Sequence, residues 1–263
     1  MHGRRRLEIV NPRQLQNKVV LVTGGSRGIG RQIVLGAVAC GARVVFCART
    51  LTAGAQDLQE IGGLAGSAQV LAVRADVGCE GDVDMVFDTA IQAFGRVDVV
   101  VNNAGVSREA LLLSLPAETW DQVLATNLTG AFLVSRRAIR AFLQQGQGGT
   151  IVSIGSVMQN GAPSNASYAA SKGGLVGLTR SIARQYGSLG ISAHLVIAGA
   201  VETELTRDVP EAMRKAVIEA CPLKRQAQAH EIASAVLFLV SRPASLSNGE
   251  ALYVAGGLRE VMV

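Results

Sequence analysis

Apolar positions along this chain fall into two kinds of run. The first is short and unbroken. Lys18–Thr23 reads KVVLVT, Arg43–Ala48 reads RVVFCA, Val97–Val101 reads VDVVV and 150–154 reads TIVSI. Runs of that length without alternation predict strands buried on both faces. Gln69–Ala75, Ile191–Ile197 and a short Glu250–Val254 complete a set of about seven predicted strands. The second kind of run recurs at helical spacing and fills the gaps. One helix runs from a glycine-rich turn to Cys40, with Gly41 closing it as a C-terminal glycine does. Others are predicted over 54–61 before Gly62-Gly63, over Glu80–Phe94 before Gly95, and from Pro116 through Trp120 toward Asn127. A further helix continues to Gln145 with Phe132, Leu133, Ala138, Ile139 and Phe142 on one side. The last three are predicted from Ala166 to Tyr186, over a polar insertion at 207–220, and over 230–240.

Strands alternating with helices mean βαβ units, right-handed crossovers and a parallel sheet covered on both faces. The predicted fold is therefore α/β: one Rossmann-type, doubly wound domain over residues 18–263, preceded by a polar extension at 1–17. A length of 263 residues suffices to bury such a core. With 49% hydrophobic residues, 4% aromatics and 30 glycines, the composition suits tight strand-to-helix turns packed with Val, Ile, Leu and Ala.

Charge narrows the function classes. The net +5 is spread along the chain apart from Arg4-Arg5-Arg6, without the aromatic interleaving that a nucleic-acid surface needs. No apolar run reaches membrane-spanning length, and the N-terminal stretch lacks the apolar core and cleavage site of a secretory signal. Cys40, Cys47, Cys79 and Cys221 have no metal-ligand or CxxC spacing and read as buried reduced thiols. A cytoplasmic protein with no metal, nucleic-acid or membrane partner is expected.

Candidate chemistry lies at two turns. Gly24-Gly25-Ser26-Arg27-Gly28-Ile29-Gly30 joins the first strand to the first helix. Glycines there let the backbone approach a pyrophosphate at a helix N-terminus, where free N–H groups and the dipole favour anions. The end of the second strand, Cys47-Ala48-Arg49-Thr50, carries no acid to accept a ribose 2′-hydroxyl. Arg27 and Arg49 are instead two cations able to clamp a 2′-phosphate, which favours NADP(H). The second turn is Gly155-Ser156 after the apolar run Ile151–Ile154, followed by Tyr168 and Lys172. A four-residue offset places Tyr168 and Lys172 on one helix face, about 5–6 Å apart at Cβ. The ammonium is expected to pull the phenol pKa down from about 10, suiting it to proton transfer. Ser156 can hydrogen-bond the same substrate oxygen.

Taken in order, Thr23-Gly24-x3-Gly28-Ile29-Gly30, Asn102-Asn103-Ala104-Gly105, Asn127, Ser156 and Tyr168-x3-Lys172 resemble the short-chain dehydrogenase/reductases. Within that family the chain is most similar to the 3-oxoacyl-(acyl-carrier-protein) reductases. The stretches that carry this are TGGSRGIGR (23–31), NNAGVSREALL (102–112), YAASKGGLVGLTRSIARQYGSLGI (168–191) and ETELT (202–206). The resemblance implies that Asn127 holds a helix kink and, with Lys172, a water relay. It implies that Ser156 orients a carbonyl, Tyr168 donates the proton and Lys172 binds the ribose. It also places Asp76 and Val77 against the adenine, Asn103, Ala104 and Gly105 along the cofactor channel, Thr203 at the carboxamide, and Val201 among the cofactor-binding residues. Hydride transfer from NADPH to the ketone of a 3-oxoacyl thioester is the implied reaction, in a homotetramer built on the helices starting near Asn127 and Ala166. A carbonyl or secondary-alcohol reductase acting on a free or aromatic ketone, and a non-enzymatic NADP-binding regulator, are the alternatives.

The chain also departs from the family pattern. Ala198-Gly199 stands where Pro-Gly is usual, which puts the order of the following loop in question. His194 replaces an asparagine and reads as a hydrogen-bonded strand residue, and Ala255 replaces a polar residue at a subunit contact. His230 is expected to face solvent and Trp120 to lie in the core. Arg108, Met158, Gln159 and the loop 200–222 are expected to shape the substrate pocket. For docking an acidic acyl carrier protein, Arg140 is retained, while Leu189 stands where a second arginine is usual.

Overall fold

In the computed structural model, residues 14–51, 69–207, 209–241 and 244–259 are described. Seven strands form one parallel sheet: β1 (Val19–Thr23), β2 (Arg43–Ala48), β3 (Val70–Arg74), β4 (Val99–Asn102), β5 (Gly149–Ser156), β6 (Ile191–Ala198) and β9 (Ala251–Val254). Their spatial order is β3-β2-β1-β4-β5-β6-β9, and every pairing is parallel. A separate two-stranded ribbon pairs β7 (Val201–Glu202) with β8 (Ala227–Gln228). The chain winds outward from β1 in one direction and from β4 in the other. The crevice at the carboxyl ends of β1 and β4 is thus the topological switch point where such sheets bind ligands.

The unbroken apolar strands are buried on both faces because helices cover both. Val20 and Val22 of β1 and Val196 of β6 point into one core. There they meet Ile33, Val34 and Ala37 of α1 (Gly28–Ala39) and Ile232 and Val236 of α7 (Ala229–Leu239). Leu21, Val45 and Ile151 point the other way. They pack on Phe87 of α2 (Glu80–Phe94), Phe142 of α4 (Gly130–Gln145) and Ile182 of α5 (Ala166–Tyr186). Gly41, just past α1, adopts a φ of +87° as expected of a closing glycine.

Pro116 caps α3 (Ala117–Leu124), which runs into α4 through one π-helical turn, Ala125–Thr129. Asn127 sits in that turn, where the resemblance implied a kink. The polar insertion becomes α6 (Glu211–Ala220). The helix expected at 54–61 lies outside the described residues.

Several residues sit differently from expectation. Leu15, assigned on sequence to the polar extension, is buried against the first core, and its N–H donates to the Cys40 carbonyl. Trp120 is half-buried rather than core, because α3 is short and buries only Val123. Cys47 and Cys221 are buried, but Cys40 is half-buried and Cys79 is exposed at the start of α2. Ala255 is buried beneath Gly199, where a side chain on that glycine would approach the Ala255 Cα to 2.8 Å. Ala198 is paired on both sides as the last residue of β6, so the departure from proline falls at a strand end.

Candidate active site

A cleft of about 1160 Å³ opens at the switch point. Its walls include Gly24, Ser26, Arg27, Gly28 and Ile29 of the first turn, Arg49 after β2, Asp76 and Val77 after β3, Asn103, Ala104 and Gly105 after β4, Tyr168 and Lys172 of α5, and Thr203. Residues far apart in sequence meet there because parallel strands all end on one side.

The first turn is built for close backbone approach. A Cβ on Gly30 would lie 2.1 Å from the Gly24 carbonyl oxygen and 2.4 Å from Asn103 Nδ2. Any side chain there would push α1 off the strand end. Gly25 packs directly on Phe46, and so, like Gly30, it shapes the turn without lining the cleft. Asn103 Nδ2 donates to the carbonyls of Thr23 and Gly24 at 2.9 and 3.0 Å, and Thr23 Oγ1 accepts from the N–H groups of Asn103 and Ala104. These bonds fix the two loops against each other. Helix α1 begins at Gly28 with no side-chain cap and no acid in its first turn. Its leading N–H groups therefore favour an anion, and Arg27 and Arg49 add positive charge on the same wall. The donor set fits a dinucleotide phosphate. Asp76 accepts from the Gly78 N–H at 2.9 Å.

Helix α5 brings the proton-handling groups together. Lys172 is buried, and its Nζ donates to the Ile154 carbonyl at 2.7 Å and lies 5.5 Å from the centre of the Tyr168 ring. Burial pulls its pKa down to about 8. The expectation that Lys172 lowers the Tyr168 pKa is corrected here. Burial raises the phenol above its ordinary value, and the opposing influence is the hydrogen bond from Ser156. The reason is that taking the phenol out of water disfavours the phenolate more than the Ser156 hydrogen bond favours it. A phenol with a raised pKa is protonated near neutral pH and ready to donate. Ser156 is buried at the end of β5, and its Oγ also accepts from the Met158 N–H at 3.2 Å.

Asn127 is buried beside the cleft rather than in its wall. Its Oδ1 accepts from the Val106 N–H at 2.8 Å, and its Nδ2 donates to the Val106 carbonyl and to Ser171 Oγ at 2.9 and 3.0 Å. Val201 is likewise buried, and its carbonyl accepts from Thr206 Oγ1.

Other expectations need adjusting. Arg108, Met158 and Gln159 do not line this cleft. Gln159 instead donates toward Tyr253 Oη, and Arg108 bends back to the Ser107 carbonyl. His194 is buried, but its Nδ1 finds no hydrogen-bond partner, because apolar side chains of β5, β9 and α7 surround that face of β6. His230 is exposed, as expected, and also lines the cleft mouth. Gln32 and His230 are wall residues that sequence does not single out, whereas Glu204, Arg207 and Arg214 lie in the stretch 200–222 expected to shape the pocket. Gln32 was findable, lying one helical turn beyond Gly28.

A doubly wound sheet with this anion-binding turn, a half-buried tyrosine at the cleft and buried Ser156, Lys172 and Asn127 around it defines a dinucleotide-dependent oxidoreductase site. The comparisons give the class its family. A family model described as Enoyl-(Acyl carrier protein) reductase matches residues 24–259. The chain is 39% identical over 246 residues to 3-oxoacyl-[acyl-carrier-protein] reductase FabG of Escherichia coli, covering 92% of this chain and 98% of that protein. It is 40% identical over 250 residues to the same-named protein of Pseudomonas aeruginosa, with 93% and 98% covered. The crystal structure of 3-ketoacyl-(acyl-carrier-protein) reductase from Brucella melitensis complexed with NADH superposes with a TM-score of 0.86 at 32% identity, covering 94% of this chain and all of that one. This chain belongs to the short-chain dehydrogenase/reductase family.

Proposed function

We propose that the protein reduces the ketone of a 3-oxoacyl thioester to a secondary alcohol with NADPH. What carries the reading is Tyr168. It is held beside Ser156 and Lys172 in the same cleft as the phosphate-binding turn, and relatives named as 3-oxoacyl reductases cover almost the whole chain. When bound, the nicotinamide supplies hydride to the carbonyl carbon. Ser156 and Tyr168 bind the carbonyl oxygen, and Tyr168 delivers its proton there. Lys172, held by the Ile154 carbonyl beside Tyr168, is placed to bind the ribose hydroxyls of the cofactor. Asn127 holds the Val106 backbone at the end of the cofactor channel.

Preference for NADPH over NADH rests on Arg27 and Arg49 and on the absence of an acid after β2. Thioester reduction followed by loss of nicotinamide absorbance tests the activity, and free or aromatic ketones in the same assay test the alternative substrates. Arg49→Ala is expected to raise the NADPH KM about tenfold, with NADH nearly unaffected, since one charge-assisted contact is worth about 1.5–3 kcal/mol. Equal use of both coenzymes by the unmutated protein sinks the preference.

A homotetramer joined through α4 and α5 is part of this reading, supported by the exposed apolar Phe132 and Leu143 on α4. So is a cytoplasmic location. Among the described residues, no helix is long and apolar enough to cross a membrane. For an acyl carrier protein, Arg140 is exposed, and so is the apolar Leu189. The arginines able to replace the missing contact are Arg136, Arg137 and Arg184; Arg184 is exposed on α5, but Arg136 and Arg137 are poor substitutes. Arg136 pairs with Glu80, and Arg137 pairs with Asp84 and Asp88, so their charge is spent within the chain. Carrier-bound and free thioesters are therefore expected to be used with similar kcat/KM, and a large, salt-sensitive carrier advantage overturns that expectation.

A further inference from the structure

We propose that Ser107 and Asn165 are positioning residues that close a ring of hydrogen bonds around the first turn of α5 and set where Tyr168 presents its hydroxyl. The inference rests on the reading of Tyr168 as proton donor.

The ring can be followed bond by bond. Asn127 Nδ2 donates to Ser171 Oγ at 3.0 Å, and Ser171 Oγ donates to the Tyr168 carbonyl at 2.7 Å. One turn earlier, the Ala169 N–H donates to the Asn165 carbonyl at 2.9 Å. Asn165 Oδ1 accepts from Ser107 Oγ at 3.1 Å. Ser107 follows Val106 in the chain, and the Val106 N–H returns to Asn127 Oδ1 at 2.8 Å. The segment after β4 is thus fixed on one side to the π-helical turn and on the other to the start of α5. A second attachment runs in parallel, with the Ala110 N–H donating to the Ser164 carbonyl at 2.8 Å and Ala110 bridging Asn165.

Asn165 occupies the cap position of α5, where a side chain of this type ordinarily bonds the helix's own free N–H groups. It makes no such bond. It is 4% exposed, and its side-chain oxygen is given to Ser107 across the chain. The preceding Ser164 takes a φ of +57°, a left-handed conformation that a serine adopts only where its surroundings impose it. Helix capping has been given up for a long-range contact, and that contact ends three residues before Tyr168. A proton donor is sensitive to such placement, because a misplacement of about 1 Å costs about a hundredfold in rate.

The test compares Ser107→Ala, Asn165→Leu, the double variant and Ser107→Thr, with Tyr168→Phe alongside. The readouts are kcat and KM for one 3-oxoacyl thioester, the pH dependence of kcat, and NADPH binding by fluorescence. Ser107→Ala is expected to lower kcat about tenfold or more with KM and NADPH binding little changed, and to move the pH profile. Ser107→Thr keeps the hydroxyl and is expected to restore both. The double variant is expected to be no worse than the poorer single one, because both remove the same bond. Unchanged kcat and pH profile in Ser107→Ala overturn the proposal, and so do losses that multiply in the double variant. Loss of thermal stability with kcat and its pH profile intact also overturns it, since that is the mark of a structural bond alone. If Tyr168→Phe retains turnover, the fault lies in the proton-donor reading beneath it.

Discussion

Asp98 and Lys172 are buried charges at opposite ends of neighbouring strands, and their surroundings differ. Asp98 precedes β4 at the amino-terminal edge of the sheet. Its carboxylate accepts from Lys18 Nζ at 3.0 Å, from Arg96 Nε at 2.9 Å and from the Val19 N–H at 3.0 Å. Lys172 meets β5 at the carboxyl-terminal edge. It has a carbonyl oxygen for company, and no ion pair to it is found among the described residues. The first end spends its polar groups on holding the starts of β1 and β4 together. The second keeps a cation out of water in the wall of the cleft, and the fold bears the desolvation cost. On the proposed function, stability and chemistry are thus separated to the two edges of one sheet.

The sharpest way to break that comparison is at the carboxyl-terminal edge. Tyr168→Phe keeps the ring and its packing while deleting the proton. Turnover of a 3-oxoacyl thioester is expected to fall by about 10²–10⁴ with NADPH binding nearly unchanged. Urea denaturation of the variant is expected to match the parent, and a large stability loss would show that the phenol holds the fold instead. At the other edge, Asp98→Ala is expected to cost about 1–3 kcal/mol in urea denaturation, because it leaves the buried Val19 N–H without its acceptor while Lys18 and Arg96 still reach water. The folded fraction should keep its kcat. A drop in kcat with little change in stability would place chemistry at the wrong end of the sheet.

Lys172→Met is the third test. With its pKa drawn from 10.5 down to about 8, the folded lysine binds its proton less tightly than the unfolded chain does. Charging it therefore opposes folding, fully below pH 8, and the penalty fades as pH rises from about 8 to 10.5. The free enzyme variant is expected to be more stable than the parent by on the order of 3 kcal/mol at pH 7, taking about 1.4 kcal/mol per pKa unit, and to converge with it by pH 10.5. Activity should be lost. A destabilised variant would mean that the ammonium pairs favourably in the fold, as Asp98 does.

What could be read from sequence follows the range of each interaction. The glycine turn and the Tyr168–Lys172 pair each lie on one local element, so spacing alone places them. The doubly covered parallel sheet followed from the alternation of strands and helices, whereas the strand order that makes the switch point is set by the fold. The ring through Ser107, Asn165, Ser171 and Asn127 did not follow from it either, because its members sit on three separate segments brought together by the crossings of β4 and β5. The pKa of Tyr168 was misjudged for a related reason. Spacing puts Lys172 beside the phenol but gives no sign of how deeply both are buried, and burial has the larger influence. Leu15 escaped because one apolar residue among polar neighbours carries no period.

His194 provides the smallest test, midway along the strands between the two edges. It is buried in β6, opposite Val152, with Nδ1 unpartnered, so it has neither the ion pairs of Asp98 nor a place in the cleft. Burial lowers its pKa below the ordinary 6.5. The folded protein holds the neutral ring, while the unfolded chain takes up a proton more readily as pH falls past 6.5. The balance thus moves toward unfolding on acidification, and the stability this group contributes is present above that pH and lost below it. Urea midpoints of the parent are expected to decline from about pH 6.5 downward, with the coenzyme KM at pH 7 unaffected. His194→Asn removes the titration and should flatten that part of the decline, leaving the carboxylate-driven loss at lower pH in place. If the parent and His194→Asn lose stability in parallel between pH 7 and 5, the ring is either solvated or paired in the fold, and its burial in β6 is not what sets the acid limit.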